Sequence, residues 1–243
     1  MKKITLAAKA IHNIVHQRIQ KHSSYISVGL FAGSFIAKLV LIALFLAAPN
    51  CAHAQSITPG EQEVLVNNIQ NYLNNLKTMQ ADFSQMSQDG VTETGKFYLS
   101  RPGKLRFQYN APNNDYIVAD GLLVHYWDDG VKNYSSAPIG TTLADFLLRK
   151  NIKFSGDIQV LSLNRPAQNK LVITFNQTKN PEAGDLRMLF TESPLKLEKW
   201  RVTDGAGSVT EVSLSNVQTG MKLSPSLFRF VPPKGFEKQF NEN

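Results

Sequence analysis

The chain has 243 residues, with 26 Lys plus Arg against 19 Asp plus Glu and a formal net charge of +7. Six of those basic residues (Lys2, Lys3, Lys9, Arg18, Lys21 and Lys38) lie in the first 54 residues, which hold no Asp or Glu. The remainder therefore carries 20 basic against 19 acidic residues, a net charge of +1. A near-neutral domain of this kind gives no electrostatic support to nucleic-acid binding.

The basic leader runs into the apolar stretch Leu39–Ala48 and then Ala52-His53-Ala54 before Gln55. Positive residues, a short apolar core and a small-x-small site make a secretory signal. Residues 1–54 are therefore read as a signal segment and 55–243 as one domain. Tyr25–Ala48, with Lys38 inside it, is also long enough to cross a bilayer, so an uncleaved anchor stays open. The single cysteine, Cys51, falls in the leader, and Pro49-Asn50 before it are poor company for a lipid-attachment site. The domain is then expected to hold together without disulfides, by its core alone.

Thr58-Pro59-Gly60-Glu61 predicts a helix start with an N-cap, a proline at the first position and a capping-box acid. Leu65, Ile69, Tyr72, Leu73 and Leu76 continue it as one apolar stripe. From Met79 the period changes to two. Phe97 and Leu99 alternate with polar residues, and after the Arg101-Pro102-Gly103 turn so do Leu105, Phe107 and Tyr109. Tyr116–Ala119 and Leu122–Trp127 form another strand pair around Asp120-Gly121, and Val131–Tyr134 returns. A short helix is expected over Leu143–Lys150, capped by Thr142 with Asp145. Strands follow at Leu171–Phe175, Leu186–Phe190, Leu195–Thr203, Val209–Val217 and Leu227–Val231. The expectation is one α+β domain built on a large antiparallel sheet.

Catalytic signatures are missing. His125 is the only histidine after the leader and sits in a strand pattern. Asp128-Asp129 and Asp204 adjoin glycines, where aspartate serves turn geometry. No nucleophile elbow, metalloprotease helix or phosphate loop is present. A binding protein without metal or cofactor is expected.

Several segments resemble the periplasmic outer-membrane lipoprotein carriers, the LolA family. They are Phe83-Ser84-Gln85, Gly95–Leu99, Arg101–Phe107, Pro112 followed by Ile117–Gly121, Phe146-Leu147-Leu148, Asp204-x-x-Gly207 and Phe228-x-Phe230-x-Pro232-Pro233-x-Gly235. The resemblance spans Gln55 to Phe236. It implies an unclosed antiparallel β-barrel, a strongly curved sheet, whose short helices lid an apolar cavity. It further implies a periplasmic monomer that takes lipoproteins by their acyl chains from an inner-membrane ABC-type exporter to an outer-membrane acceptor. The arginine of the Arg-Pro turn, which ties the lid to the barrel in the family, maps onto Arg101. The cavity lining is expected to include Phe97, Leu99, Leu105, Phe107, Tyr109, Trp127, Phe146 and Leu147. His125 stands where relatives often carry tryptophan, and Leu105 where they carry phenylalanine.

The physics suits such a carrier. An acyl chain of about 16 carbons at about 0.8 kcal/mol per buried CH₂ represents roughly 12 kcal/mol. A shuttle must hide nearly all of it, yet release it. A regulatory envelope-stress sensor or an anchored lipid-binding module of the same fold are the competing expectations.

Overall fold

The structure is a computed structural model describing residues 56–140 and 143–236, with residues 143–145 described by their backbone only. The expected signal segment, its cleavage site and the Thr142–Asp145 cap lie outside what is described. The first element is helix α1, Pro59–Asn75. Thr58 caps it by accepting the Glu61 amide at 3.4 Å, and Pro59 occupies the first turn, where no amide is needed. Leu65, Ile69 and Leu73 form its buried face. Glu61 does not complete a capping box; its carboxylate is 2.7 Å from Arg165.

Among the described residues eleven strands follow: β1 Thr78–Ser87, β2 Thr92–Ser100, β3 Lys104–Tyr109, β4 Tyr116–Asp120, β5 Leu123–Asp128, β6 Asn133–Pro138, β7 Ile158–Asn164, β8 Lys170–Gln177, β9 Gly184–Glu192, β10 Leu195–Asp204 and β11 Val209–Thr219. They build one antiparallel sheet in the order β6-β5-β4-β3-β2-β1-β11-β10-β9-β8-β7. Adjacent strands of the sheet are consecutive in sequence except at β1–β11, where two meanders are joined. The sheet does not close: β6 and β7 remain its edges. The strand pattern gave the large antiparallel sheet, and the family resemblance implied that it stays unclosed.

The crossover from β6 to β7 carries the expected short helix as a 3-10 helix, Leu143–Leu148. Two differences stand out. Strand β7 was not anticipated, because its apolar residues do not keep a strict alternation: its register against β8 shifts between Val160 and Ser162. Leu227–Val231 is not a strand. Pro225–Phe228 makes a 3-10 turn capped by Ser224, and the prolines Pro232 and Pro233 have no amide to offer a ladder.

One apolar cluster fills the side of the sheet that α1 and the 3-10 crossover cover, drawing on β1–β3, β8–β11, α1 and residues 146–152. A smaller cluster of Tyr116, Val118, Trp127 and Phe230 lies apart from it. Alternation explains the separation. Leu105 and Phe107 pair with Ala119 and Ile117, which enter or flank the main cluster, whereas Tyr116 and Val118 point the other way.

Candidate functional site: a lidded apolar interior

The inner face is built from cross-strand rows. Leu99 pairs with Leu105 and Phe97 with Phe107 across the β2–β3 hairpin, and Gly95 pairs with both Phe83 and Tyr109. Gly95 has a steric purpose: a Cβ there would collide with the Gln108 carbonyl and the Phe83 ring. The bare backbone lets Phe83 lie edge-on to Phe107 and Tyr109, each at 5.1 Å between centroids. Phe97 adds contacts to Phe107 at 4.8 Å and to Trp200 at 5.6 Å. The Tyr109 hydroxyl donates to Gln85 Oε1 at 3.0 Å, which removes the cost of burying it.

A second aromatic group sits under the crossover. Phe146 is 4.5 Å from Phe175 and 5.4 Å from Phe154. Leu147, Leu148 and Ile152 are buried in the same cluster. Phe97, Leu99, Leu105, Phe107, Tyr109, Phe146 and Leu147 thus all meet in one apolar interior. Trp127 does not. Its strand register pairs it with Tyr116, on the opposite face, where its ring packs 5.0 Å from Phe236 and its Nε1 donates to Asp129 Oδ1 at 3.3 Å. The expectation that Trp127 lines the interior is corrected by strand parity.

The interior tryptophan is instead Trp200, which strict alternation from Leu195 through Leu197 would have turned outward. A register shift between Leu197 and Lys199 reverses the parity, so that Leu197 and Trp200 both point in. Phe175, Met188 and Phe190 were also missed, although the apolar run Leu171–Phe175 signalled a buried strand.

The cover over this interior is held largely through main-chain groups. The C-terminal turn of α1 has no basic residue of its own, so its last carbonyls need donors from elsewhere. Lys77 Nζ donates to the Asn74 carbonyl at 2.7 Å, and Arg101 supplies two more. Its guanidinium donates to the Leu73 carbonyl and, at 3.4 Å, to that of Leu76. On its other side it donates through Nε at 3.1 Å and through Nη2 to the Arg149 carbonyl, just past the 3-10 helix. One planar fork therefore joins both covering elements. Burial lowers the Arg101 pKa from its ordinary value, yet a guanidinium stays cationic.

The Arg-Pro-Gly turn presents this side chain. Gly103 adopts a φ of 80°, a conformation suited to glycine, and its amide donates to the Leu148 carbonyl at 2.9 Å. Two further ties were invisible in the sequence. Asn74 exchanges two 2.9 Å hydrogen bonds with the backbone of Ile152, and Gln70 accepts the Phe154 amide at 3.2 Å.

The other face carries a different arrangement. His125, 4 % exposed, lies 3.0 Å from Asp120 Oδ2 and 2.9 Å from the Tyr134 hydroxyl, with its ring stacked on Phe230 at 5.0 Å. The C-terminal segment is pinned over this face by the Tyr116 hydroxyl, which donates to the Val231 carbonyl at 2.7 Å. Arg106 donates to the Leu227 carbonyl at 3.4 Å and lies over the Tyr116 ring.

An open antiparallel sheet with an apolar inner face, covered by one helix and a short crossover, defines a fold suited to enclosing an apolar ligand. Residues 74–231 match the family described as the outer membrane lipoprotein carrier protein LolA, and the chain belongs to that family. It is 27 % identical over 177 residues to an outer-membrane lipoprotein carrier protein of Methylococcus capsulatus, covering 70 % of this chain and 84 % of that one. It is 30 % identical over 178 residues to the protein of the same description from Legionella pneumophila strain Corby, covering 70 % and 86 % respectively. Among solved structures, a LolA superfamily protein from Nitrosomonas europaea aligns with 68 % of this chain and 97 % of its own, at 10 % identity and a TM-score of 0.39.

Proposed function

We propose that this protein is a periplasmic carrier that binds the acyl chains of lipoproteins between its sheet and its lid. The observation that carries this reading is the interior itself: a continuous lining of aromatic and aliphatic side chains whose cover is fastened by Arg101, Asn74 and Gln70 through backbone groups. In the closed state Leu65, Ile69 and Leu73 of α1, with Phe146 and Leu147 of the crossover, occupy the apolar interior. An acyl chain replaces these contacts when the cover lifts, so the interior is shielded from water with or without cargo. Apolar contact is non-directional, which suits a flexible chain that must later leave. Arg101 acts as the latch between cover and sheet. Delivery from an inner-membrane ABC-type exporter to an outer-membrane acceptor completes the proposed cycle.

The chain has two tryptophans, one on each face, and they report which face a lipopeptide enters. In a Trp127→Phe variant, a triacylated lipopeptide should change the emission of Trp200 and displace a bound apolar dye. In a Trp200→Phe variant, the remaining Trp127 emission should be unaffected. A lipopeptide that leaves both emissions and the dye unchanged would overturn the carrier reading.

A further inference from the structure

Helix α1 has two ends of different mechanical standing. Its C-terminal end enters β1 through Leu76 and Lys77 alone, since β1 begins at Thr78. That end cannot travel far, and Arg101, Asn74 and Gln70 crowd around its last turns. A helix of 17 residues is about 25 Å long, so a pivot at the β1 junction gives the N-terminal end the greatest displacement. Its apolar stripe is buried along its length, Ile69 and Leu73 fully and Leu65 with 8 % of its surface exposed, and Ile57 just ahead of the helix packs against the same cluster.

At the far end stands an ion bridge that the Arg101 arrangement does not include. Arg165, just beyond β7, lies 2.7 Å from Glu61 in the first turn of α1. The same guanidinium is anchored to the sheet, donating to Glu192 at the end of β9 through Nε at 2.8 Å and Nη2 at 2.6 Å. The Arg165 side chain is 15 % exposed, and the bidentate geometry fixes its plane so that Nη1 faces the helix. Hydrogen bonding to Arg165 also holds the Glu192 carboxyl below the usual glutamate range. Among the described residues α1 makes no other ion pair.

We propose that Arg165 is a positioning residue for the lid: anchored by Glu192, it holds the swinging end of α1 through Glu61 and sets how often that end lifts from the apolar interior. Its importance for cargo entry rests on the carrier reading above, but the lid motion is measurable without cargo. The two ends then differ in kind. Guanidinium-to-carbonyl bonds hold the pivot, and a salt-sensitive charge pair holds the lever arm.

Amide hydrogen exchange along α1 tests this. At low salt, Glu61→Gln should speed exchange of amides 64–70 about two- to fivefold, the range expected for a partly exposed ion pair. Raising NaCl should bring the wild type toward the variant and leave the variant nearly unchanged. Arg165→Gln should have the same local effect, and adding Glu61→Gln to it should contribute nothing more. A matched control is Glu198→Gln, which removes the surface bridge to Lys170 and should leave α1 exchange as it was. If Glu61→Gln leaves amides 64–70 at wild-type rates at both salt levels, or if its effect is the same size at both, Arg165 is not a holding point of the lid. Loss of lipopeptide binding with the exchange pattern intact would instead fault the carrier reading.

Discussion

The two faces of the sheet both bury aromatic rings, but they hold them differently. On the inner face Phe83, Phe97, Phe107 and Trp200 meet ring against ring, and Tyr109–Gln85 is a polar pair set among them. On the outer face the rings of Tyr116, His125, Trp127 and Tyr134 are tethered by directed hydrogen bonds to Val231, Asp120 and Asp129 or to one another. Hydrogen bonds specify one geometry and are costly to leave unmade, whereas apolar contact accepts any partner of suitable shape. The outer face is thereby built as a fixed support that docks the C-terminal segment. On the carrier reading proposed above, the inner face is the one whose cover exchanges for another apolar surface.

Substitutions on each face test that contrast. Phe97→Ala empties a site that is 1 % exposed at the meeting of Phe107 and Trp200, and should cost about 3–5 kcal/mol in denaturant unfolding. A loss below about 1 kcal/mol would show that the inner face collapses around the gap and is not close-packed. Arg101→Leu removes charge-assisted bonds from the cover, for an expected loss of about 1.5–3 kcal/mol. It should leave the protein folded and able to take up lipopeptide but impair hand-over in a reconstituted exporter-to-acceptor assay; normal transfer would end the latch reading. His125→Ala breaks the contacts to Asp120 and Tyr134, and should cost about 1–2 kcal/mol. Because it acts on the outer face, dye and lipopeptide affinities should stay at wild-type values; a changed affinity would mean that the faces are coupled.

Particular residues show where sequence reading ends. Thr58-Pro59 marked the start of α1 because capping is local chemistry, decided within four residues. The Arg101-Pro102-Gly103 turn placed Phe97, Leu99, Leu105, Phe107 and Tyr109 on one face, since two strands joined by a tight turn share one register. Trp127 was misplaced because alternation identifies two faces without saying which of them is covered. Trp200 was missed for a related reason: the irregularity after Leu197 leaves no composition mark, yet it reverses every side chain beyond it.

By itself, then, the sequence determined the helix, most of the strands, the hairpin turns and the apolar rows of the β2–β3 hairpin. These follow from hydrophobic period, capping and turn preference, all of which act over a few residues. Only the tertiary structure decided that β1 and β11 join two meanders and which tryptophan lies within. It also decided that the C-terminal segment straps the outer face, and that Arg165 meets Glu61 across more than a hundred residues of chain. Those outcomes depend on how the sheet twists, shifts register and stays open, and no local pattern carries that information.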